Sequence, residues 1–356
     1  MNINKNKMTP KERIDCYFKG EEVDRLPTSI MIEETAAVYA GINVKDYYFD
    51  ADKMLEVEKF KVRNLGLDNS EIGVTLRGIG EALGSKLIYP SDRASYVIDP
   101  VLKDYKMLDN MKVINPYKDG RFPIILKGLG KIKKELGSEA CIGSTIPGPM
   151  TAATSVRGID NLMRDFIKNK EGVHNLLDFV TECNLAFAKA VYEEYGIVCG
   201  IGDPVCSGNL ISYKQFEKVV EPYLRKTIDG IYEITGQKTS LYICGKTKQM
   251  WSSIGNMNIA GFSIGNYEDM GELKEELGNK VFIGGNVDPV SIIRNGTVQD
   301  VDKAVKSCIQ KASDNPKGYI VGVGCYIPSE SPIENIKTII KATKKYSSGI
   351  RIGESI

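Results

Sequence analysis

A chain of 356 residues, 42% hydrophobic and 26% charged, has the composition of a globular protein and is long enough for one large α/β domain. Its 47 Lys and Arg against 46 Asp and Glu leave no overall field that would recruit nucleic acid or an anionic membrane surface. No apolar run approaches the ~18 residues of a spanning helix. The polar opening MNINKNKMTPKER lacks an apolar signal core, so a cytoplasmic protein is expected.

Short apolar runs alternate with amphipathic stretches along the chain. The predicted strands are Leu26–Ile32, Glu71–Leu76, Ala140–Ile146, Ile197–Asp203, Thr239–Cys244, Ile259–Ile264, Val281–Asn286 and Tyr319–Cys325. Between them lie helical patterns. EGVHNLLDFVTECNLAFAKAVYEEY sets Val173, Leu176, Leu177, Val180 and Cys183 at three- and four-residue spacing, one apolar stripe. SPIENIKTIIKATKKY closes the chain with proline near the helix start, Glu334 in the first turn and lysines near the end. Strands alternating with helices in this number predict an α/β fold, a single closed (β/α)8 TIM barrel. Polar and helical material before the second strand, and the segment from Leu87 to Gly137, read as additions to it. No linker, repeat or low-complexity tract divides the chain, so one domain spans 1–356, with an N-terminal extension of about residues 1–25.

Eight cysteines (16, 141, 183, 199, 206, 244, 308 and 325) are spread without short pairs. In a reducing compartment they are thiols, and most serve as small buried hydrophobes. Cys206, Cys244 and Cys325 differ, because barrel chemistry is done at the carboxyl ends of strands. The strand exits read GDPVCSGN (202–209), YICGKT (242–247), SIGNYED (263–269), GGNVDP (284–289) and GCYIPSES (324–331). Small residues are common in tight loops, which accounts for any one of these cysteines. Three on one rim argue for a site. Asp203 and Asp288 at strand ends either touch a ligand or cap the next helix. Asn286 is placed to donate a hydrogen bond into the site, and Pro149 in IPGPM forms a rigid turn that also walls a flat ligand. The only histidine, His174, sits mid-helix as a packing or capping residue. Proton transfer therefore falls to carboxylates, tyrosines or metal-bound groups. GLGKIKKELG follows no clear strand and is not read as a phosphate loop.

Seven segments, EALGSKLIYP (81–90), IPGPMTAATSVRG (146–158), GDPVCSGNLIS (202–212), YICGKT, IGGNVDP (283–289), NGTVQDVDKAV (295–305) and GCYIPSESPIENI (324–336), carry a family resemblance. From Pro10 to Tyr346 the chain resembles the uroporphyrinogen decarboxylase superfamily and, within it, the cobalamin-dependent methyltransferases. The resemblance implies a (β/α)8 barrel, in agreement with the strand count. The decarboxylase branch has arginines near the first strand that neutralise a polycarboxylate. Here MIEETAAVY (31–39) holds Ile32 and Ala36 at those positions and adds Glu33 and Glu34, which would repel such a substrate. Where that branch keeps an aspartate for pyrrole nitrogens, this chain has Thr75. The methyltransferase branch is similar to enzymes that hold zinc through His-x-Cys at one strand end and a Gly-Cys cysteine at the last. Position by position these ligands are Tyr242, Cys244 and Cys325. A phenol, with a pKa near ~10, is a rare zinc ligand. The third ligand is expected from another loop, with Cys206 first and Asp203, Glu33, Glu34 or Glu81 as oxygen alternatives. A phenolate ligand at Tyr242, or loss of the metal, are the other two explanations.

The resemblance implies a corrinoid-dependent methyltransferase. It would move a methyl group between a small substrate (methoxy-aromatic, methylamine-type or thiol) and the cobalt of a corrinoid, with zinc assisting. No Asp-x-His-x-x-Gly signature is present, so the corrinoid is expected on a separate carrier protein. Tyr242, Asp203 and Glu81 are the expected catalytic residues and Asn286, Asp288 and Pro149 the expected corrinoid contacts. Cys244, Cys325 and Cys206 are the expected zinc ligands. A decarboxylase or lyase on the same barrel, and a metal-free binding protein, are the competing readings.

Overall fold

The computed structural model describes residues 8–356; residues 1–7, at the start of the polar opening, lie outside the described residues. Eight parallel strands run through it: β1 Thr28–Ser29, β2 Asn69–Glu71, β3 Cys141–Pro147, β4 Cys199–Gly202, β5 Thr239–Ile243, β6 Ile259–Ile264, β7 Phe282–Val287 and β8 Tyr319–Val323. Neighbours pair in chain order from β2 to β8, and β8 returns to pair with β1, Thr28 facing Val321 and Ser29 facing Gly322. This is the expected (β/α)8 TIM barrel, nearly closed. Runs such as IAGFSI and YIVGV are short and rich in β-branched and aromatic residues, which suits strands covered on both faces.

The helix Lys170–Tyr195 buries the predicted stripe of Val173, Leu176, Leu177, Val180 and Cys183. It starts where the Asn169 side chain accepts from the Gly172 amide at 3.0 Å and stops at Gly196, whose φ of 63° suits glycine. The closing helix Ile333–Tyr346 begins directly after Pro332, as its sequence suggests. Among the described residues no helix is long and apolar enough to cross a membrane.

β1 and β2 stand at the two ends of the strand order, and side chains close the seam between them. Asp68, directly before β2 and fully buried, accepts from the Thr28 amide at 2.7 Å and the Thr28 hydroxyl at 2.9 Å. Arg25 donates to both of its oxygens, at 2.7 and 3.0 Å. Arg13 bonds Asp68 as well and reaches Asp24 at 2.6 and 2.8 Å.

Two expectations are corrected. The second strand is not Glu71–Leu76 but Asn69–Glu71. Regular pairing ends after Glu71; Gly73 still lies so close to β3 that an added Cβ would meet the Thr145 carbonyl oxygen at 2.3 Å, and Thr75 sits at a φ of 62°. The segment from Leu87 to Gly137 is only partly an addition. An antiparallel hairpin pairs Lys86–Ile88 with Tyr96–Asp99, and a 3₁₀ turn spans Tyr105–Asn110. Phe122–Leu136, however, is a barrel helix leading into β3, with Phe122, Ile125, Leu129 and Ile132 buried along one stripe.

Candidate active site

A cavity of ≈180 Å³ lies inside the barrel. Barrel interiors are normally filled by layers of bulky side chains. Here Gly200 and Gly202 of β4, Gly284 of β7 and Gly322 of β8 line the space instead and leave it open. Tyr242, the fourth residue of β5, forms part of the wall, and Cys244 follows at the strand exit. Its hydroxyl donates to the Gly324 carbonyl at 3.1 Å, which ties the end of β5 across the mouth to the end of β8. That contact brings the Cys325 thiol into the same cluster. Tyr242, Cys244 and Cys325 lie in mutual hydrogen-bonding reach.

The three groups divide their protons unequally. A hydrogen bond from Cys244 holds the Cys325 thiol below the ordinary thiol value, with help from the Tyr242 hydroxyl and the Tyr326 amide. The same Cys325 contact pushes Cys244 up, and burial adds to it. Burial raises Tyr242 far above the ordinary phenol value, with the two sulfurs adding to the effect. Of the three groups, Cys325 is therefore the one that gives up its proton most readily.

Carboxylates border the cavity below this cluster. Glu33, just past β1, accepts from the Tyr326 hydroxyl at 2.6 Å. Its carboxyl is held well above the ordinary range by burial and then by the charge of Glu34. Glu71, the last residue of β2, is also raised by burial, with Lys61 opposing. Thr75, on the same wall, is a β-branched residue at positive φ, a sparsely populated conformation that tends to occur at functional sites.

The remaining expected site residues are placed elsewhere. Cys206 is fully buried and its thiol donates to the Asp203 carbonyl at 3.0 Å, so it does not join Cys244 and Cys325. Asp203 is fully buried too and caps the helix Pro149–Arg157, accepting from the Thr151 amide at 2.8 Å and hydroxyl at 2.6 Å. Burial lifts its carboxyl to about 6 against these bonds. Pro149 starts that helix inside the core, and it is Pro147 that borders the cavity. Glu81 is held by Arg121 at 3.0 Å, in a box where the guanidinium also lies 4.6 Å over the Tyr48 ring. Asn286 donates to the Gly265 and Glu268 carbonyls at 3.0 and 2.7 Å, tying one strand exit to the next. Asp288 caps the turn Pro289–Arg294 through the Val290 and Ser291 amides, both at 2.8 Å. His174 meets Tyr223, at 3.1 Å, on the outer helices. The sequence reading missed Glu71, Lys61 and Tyr326. A carboxylate at a strand exit and a tyrosine directly after a rim cysteine were the available signals.

A zinc ion fits this cluster incompletely. Catalytic zinc takes three protein ligands and leaves a fourth position open. Cys244 and Cys325 supply two. Among the described residues no three His, Cys, Asp or Glu side chains converge where a metal could sit. Of the oxygen alternatives, Asp203 and Glu81 are engaged as described, Glu33 is bonded to Tyr326, and Glu34 accepts from the Tyr48 hydroxyl at 2.9 Å.

The chain is similar over its length to several characterised proteins. It is 29% identical to the methylcobamide:CoM methyltransferase MtbA of Methanosarcina acetivorans, over 95% of this chain and 98% of that one. It is 25% identical to the methylcobamide:CoM methyltransferase MtaA of Methanosarcina barkeri, over 96% and 99%. To a uroporphyrinogen decarboxylase of Actinobacillus succinogenes it is 22% identical over 84% of each. The solved structure of a methyltransferase from Methanosarcina mazei superposes with a TM-score of 0.83 at 24% identity, covering 96% of this chain and 99% of that one, which supports the barrel fold. The uroporphyrinogen decarboxylase (URO-D) family profile matches residues 9–346, and the chain belongs to that family.

Proposed function

We propose that this protein is a corrinoid-dependent methyltransferase, moving a methyl group between a small substrate in the barrel cavity and a corrinoid on a partner protein docked at the mouth. The observation that carries the reading is the Tyr242, Cys244 and Cys325 cluster at the cavity head. It occupies the strand ends where the similar methyltransferases are expected to activate their substrate. Full-length similarity to two proteins named methylcobamide:CoM methyltransferases supports the same class. The partner's corrinoid supplies the cobalt that gives or takes the methyl group. This chain's residues bind and orient the substrate and place a proton. Tyr242, kept protonated by burial, turns its hydroxyl from the Gly324 carbonyl to a heteroatom of the substrate, an interaction that strengthens as negative charge develops there. Zinc enters only as an ion that Cys244 and Cys325 would share with substrate atoms. The pair is one protein ligand short, and no step of the reading depends on the metal. Glu33 and Glu71 on the wall, and the absence of arginines at positions 32 and 36, count against a polycarboxylate substrate and hence against decarboxylation.

The test uses a cognate corrinoid carrier and panels of methoxylated, methylamine-type and thiol compounds. The visible spectrum of the carrier reports methyl transfer as Co(I) converts to methyl-Co(III) or back. A carrier spectrum unchanged by every compound would end this reading.

A further inference from the structure

The cavity has a charge balance that the methyl-transfer reading does not by itself require. Four carboxylates on or behind its wall meet two cations. Lys61, 3% exposed, is already paired with Glu58 at 2.9 Å. Arg77 stands 3.7 Å from Glu34. Glu33 and Glu71 remain. Glu33 takes the Tyr326 hydroxyl and shares a hydrogen bond with Glu34, and Glu71 takes the Asn69 amide at 3.2 Å and the Thr145 hydroxyl, so neither has a cation within bonding distance. Asn69, on the same wall, has in addition a buried carbonyl oxygen with no donor at all. The wall thus has one unmet acceptor and two carboxyl groups whose ionised forms burial disfavours, and its one ammonium is satisfied from behind. In a low-dielectric enclosure such a set costs stability unless something donates into it.

We propose that this cavity is a recognition subsite for an alkylammonium group, with Glu33, Glu71 and Asn69 as its acceptors, so that the small substrate presented to Tyr242 carries an N–H-bearing cation. The inference rests on the proposed function only for calling the occupant a substrate. The binding chemistry stands on the cavity. An ammonium has three donors and no acceptor, which matches two carboxylates and an orphaned amide oxygen. An anionic tail in the same space would meet like charge on two sides. Mutual repulsion between Glu33 and Glu71, one cause of the raised Glu33 carboxyl, would be relieved by the same cation.

Isothermal titration of the full-length protein with n-propylammonium, 1-propanol and propanoate tests this directly, since the three differ chiefly in the charge of one end. The ammonium is expected to bind at least tenfold more tightly than the alcohol, and propanoate weakest. Glu33→Gln and Glu71→Gln keep the shape and should each reduce the ammonium preference about tenfold, with circular dichroism confirming the fold. If either variant fails to fold, the three-ligand series on the unaltered protein still decides. Propanoate binding as well as the ammonium, or a preference untouched in both Gln variants, overturns the subsite. Ammonium binding without methyl transfer to any carrier would leave the subsite standing and remove the proposed function. Transfer from an anionic compound without ammonium binding would do the reverse.

Discussion

Two groups of buried charge in this barrel differ in one respect that separates structure from chemistry. At the amino-terminal end of the strands, Asp68 is surrounded by Arg13, Arg25 and both hydrogen-bonding groups of Thr28, and Asp24 completes the count. Every charge has its opposite within bonding distance, and the group closes the seam between β1 and β2. Toward the other end, Glu33 has no cation within bonding distance, Glu71 feels only Lys61, which is paired to Glu58, and the Cys325 thiol is lowered by a thiol and a phenol rather than by a positive charge. The first group is buried, whereas Glu33, Glu71 and Cys325 keep partial exposure at the cavity. A charge that only holds the fold together is compensated in the folded state, whereas a charge meant for a ligand is left incomplete until the ligand arrives.

The largest effect should come from breaking the complete group. Asp68→Ala leaves Arg25, 4% exposed, without its carboxylate, takes one of the two that Arg13 holds, and removes the bonds that join β1 to β2. Leaving an uncompensated buried charge costs about 3–5 kcal/mol. Urea unfolding should show a midpoint lowered to match, or no folded protein at all. A loss within the scatter of a surface substitution would mean that the network does not hold the seam.

Tyr242→Phe is expected to act on rate and not on stability. It removes the hydroxyl that donates to Gly324 and faces the sulfur pair. Losing one such donor lowers turnover by roughly ten- to a thousandfold. Zinc per chain, measured alongside on protein prepared with zinc, separates two roles for the phenol. Unchanged zinc content with slow turnover keeps Tyr242 as a proton and hydrogen-bond donor. Zinc lost with the hydroxyl would make it a ligand and complete the set that Cys244 and Cys325 begin.

The difference between the two groups also explains what could be read from the sequence. The barrel was legible because strand and helix periods repeat, and Val173 through Cys183 need only their own spacing to announce a helix. Cys244 and Cys325 were legible as strand-end residues, since a barrel forces all strand ends onto one rim. Cys206 shares that rim in sequence, but a single 3₁₀ turn, Pro204–Cys206, points its thiol back to Asp203, and no pattern announces such a turn. Asp203, Asp288 and Asn286 looked alike as polar residues at strand exits. Asp288 caps its own following turn, whereas the partners of Asp203 and Asn286 lie on other segments and are fixed only once those pack. The cavity itself was hidden, because it results from glycines on three different strands facing one another.

The smallest effect, and the one that bears most directly on the contrast, is Glu33→Gln in the absence of ligand. The Gln carbonyl oxygen can still accept from Tyr326, so the shape and the 2.6 Å bond's donor are retained while the charge is lost. Burial and Glu34 raise the folded-state pKa of Glu33 above its unfolded value. The folded state therefore binds more protons than the unfolded one once pH exceeds the ordinary glutamate value of about 4.3. Stability from this group is fully present below that pH and is lost as pH rises toward the folded pKa. The Gln variant removes the loss. At pH 8 it should be more stable than the unaltered protein by about 1 kcal/mol, a rise of roughly 1–2 °C in Tm for a chain of this length, because Glu33 borders the cavity and is incompletely desolvated. At pH 4 the two proteins should melt together. Glu71, raised in the same direction, leaves a residual slope in the single variant that the double Gln variant should flatten further. Melting curves across pH 4–8 decide the matter. A Gln variant less stable at pH 8 than at pH 4, relative to the unaltered protein, would show that Glu33 is compensated after all, and would place it with Asp68 as a charge that serves only the fold.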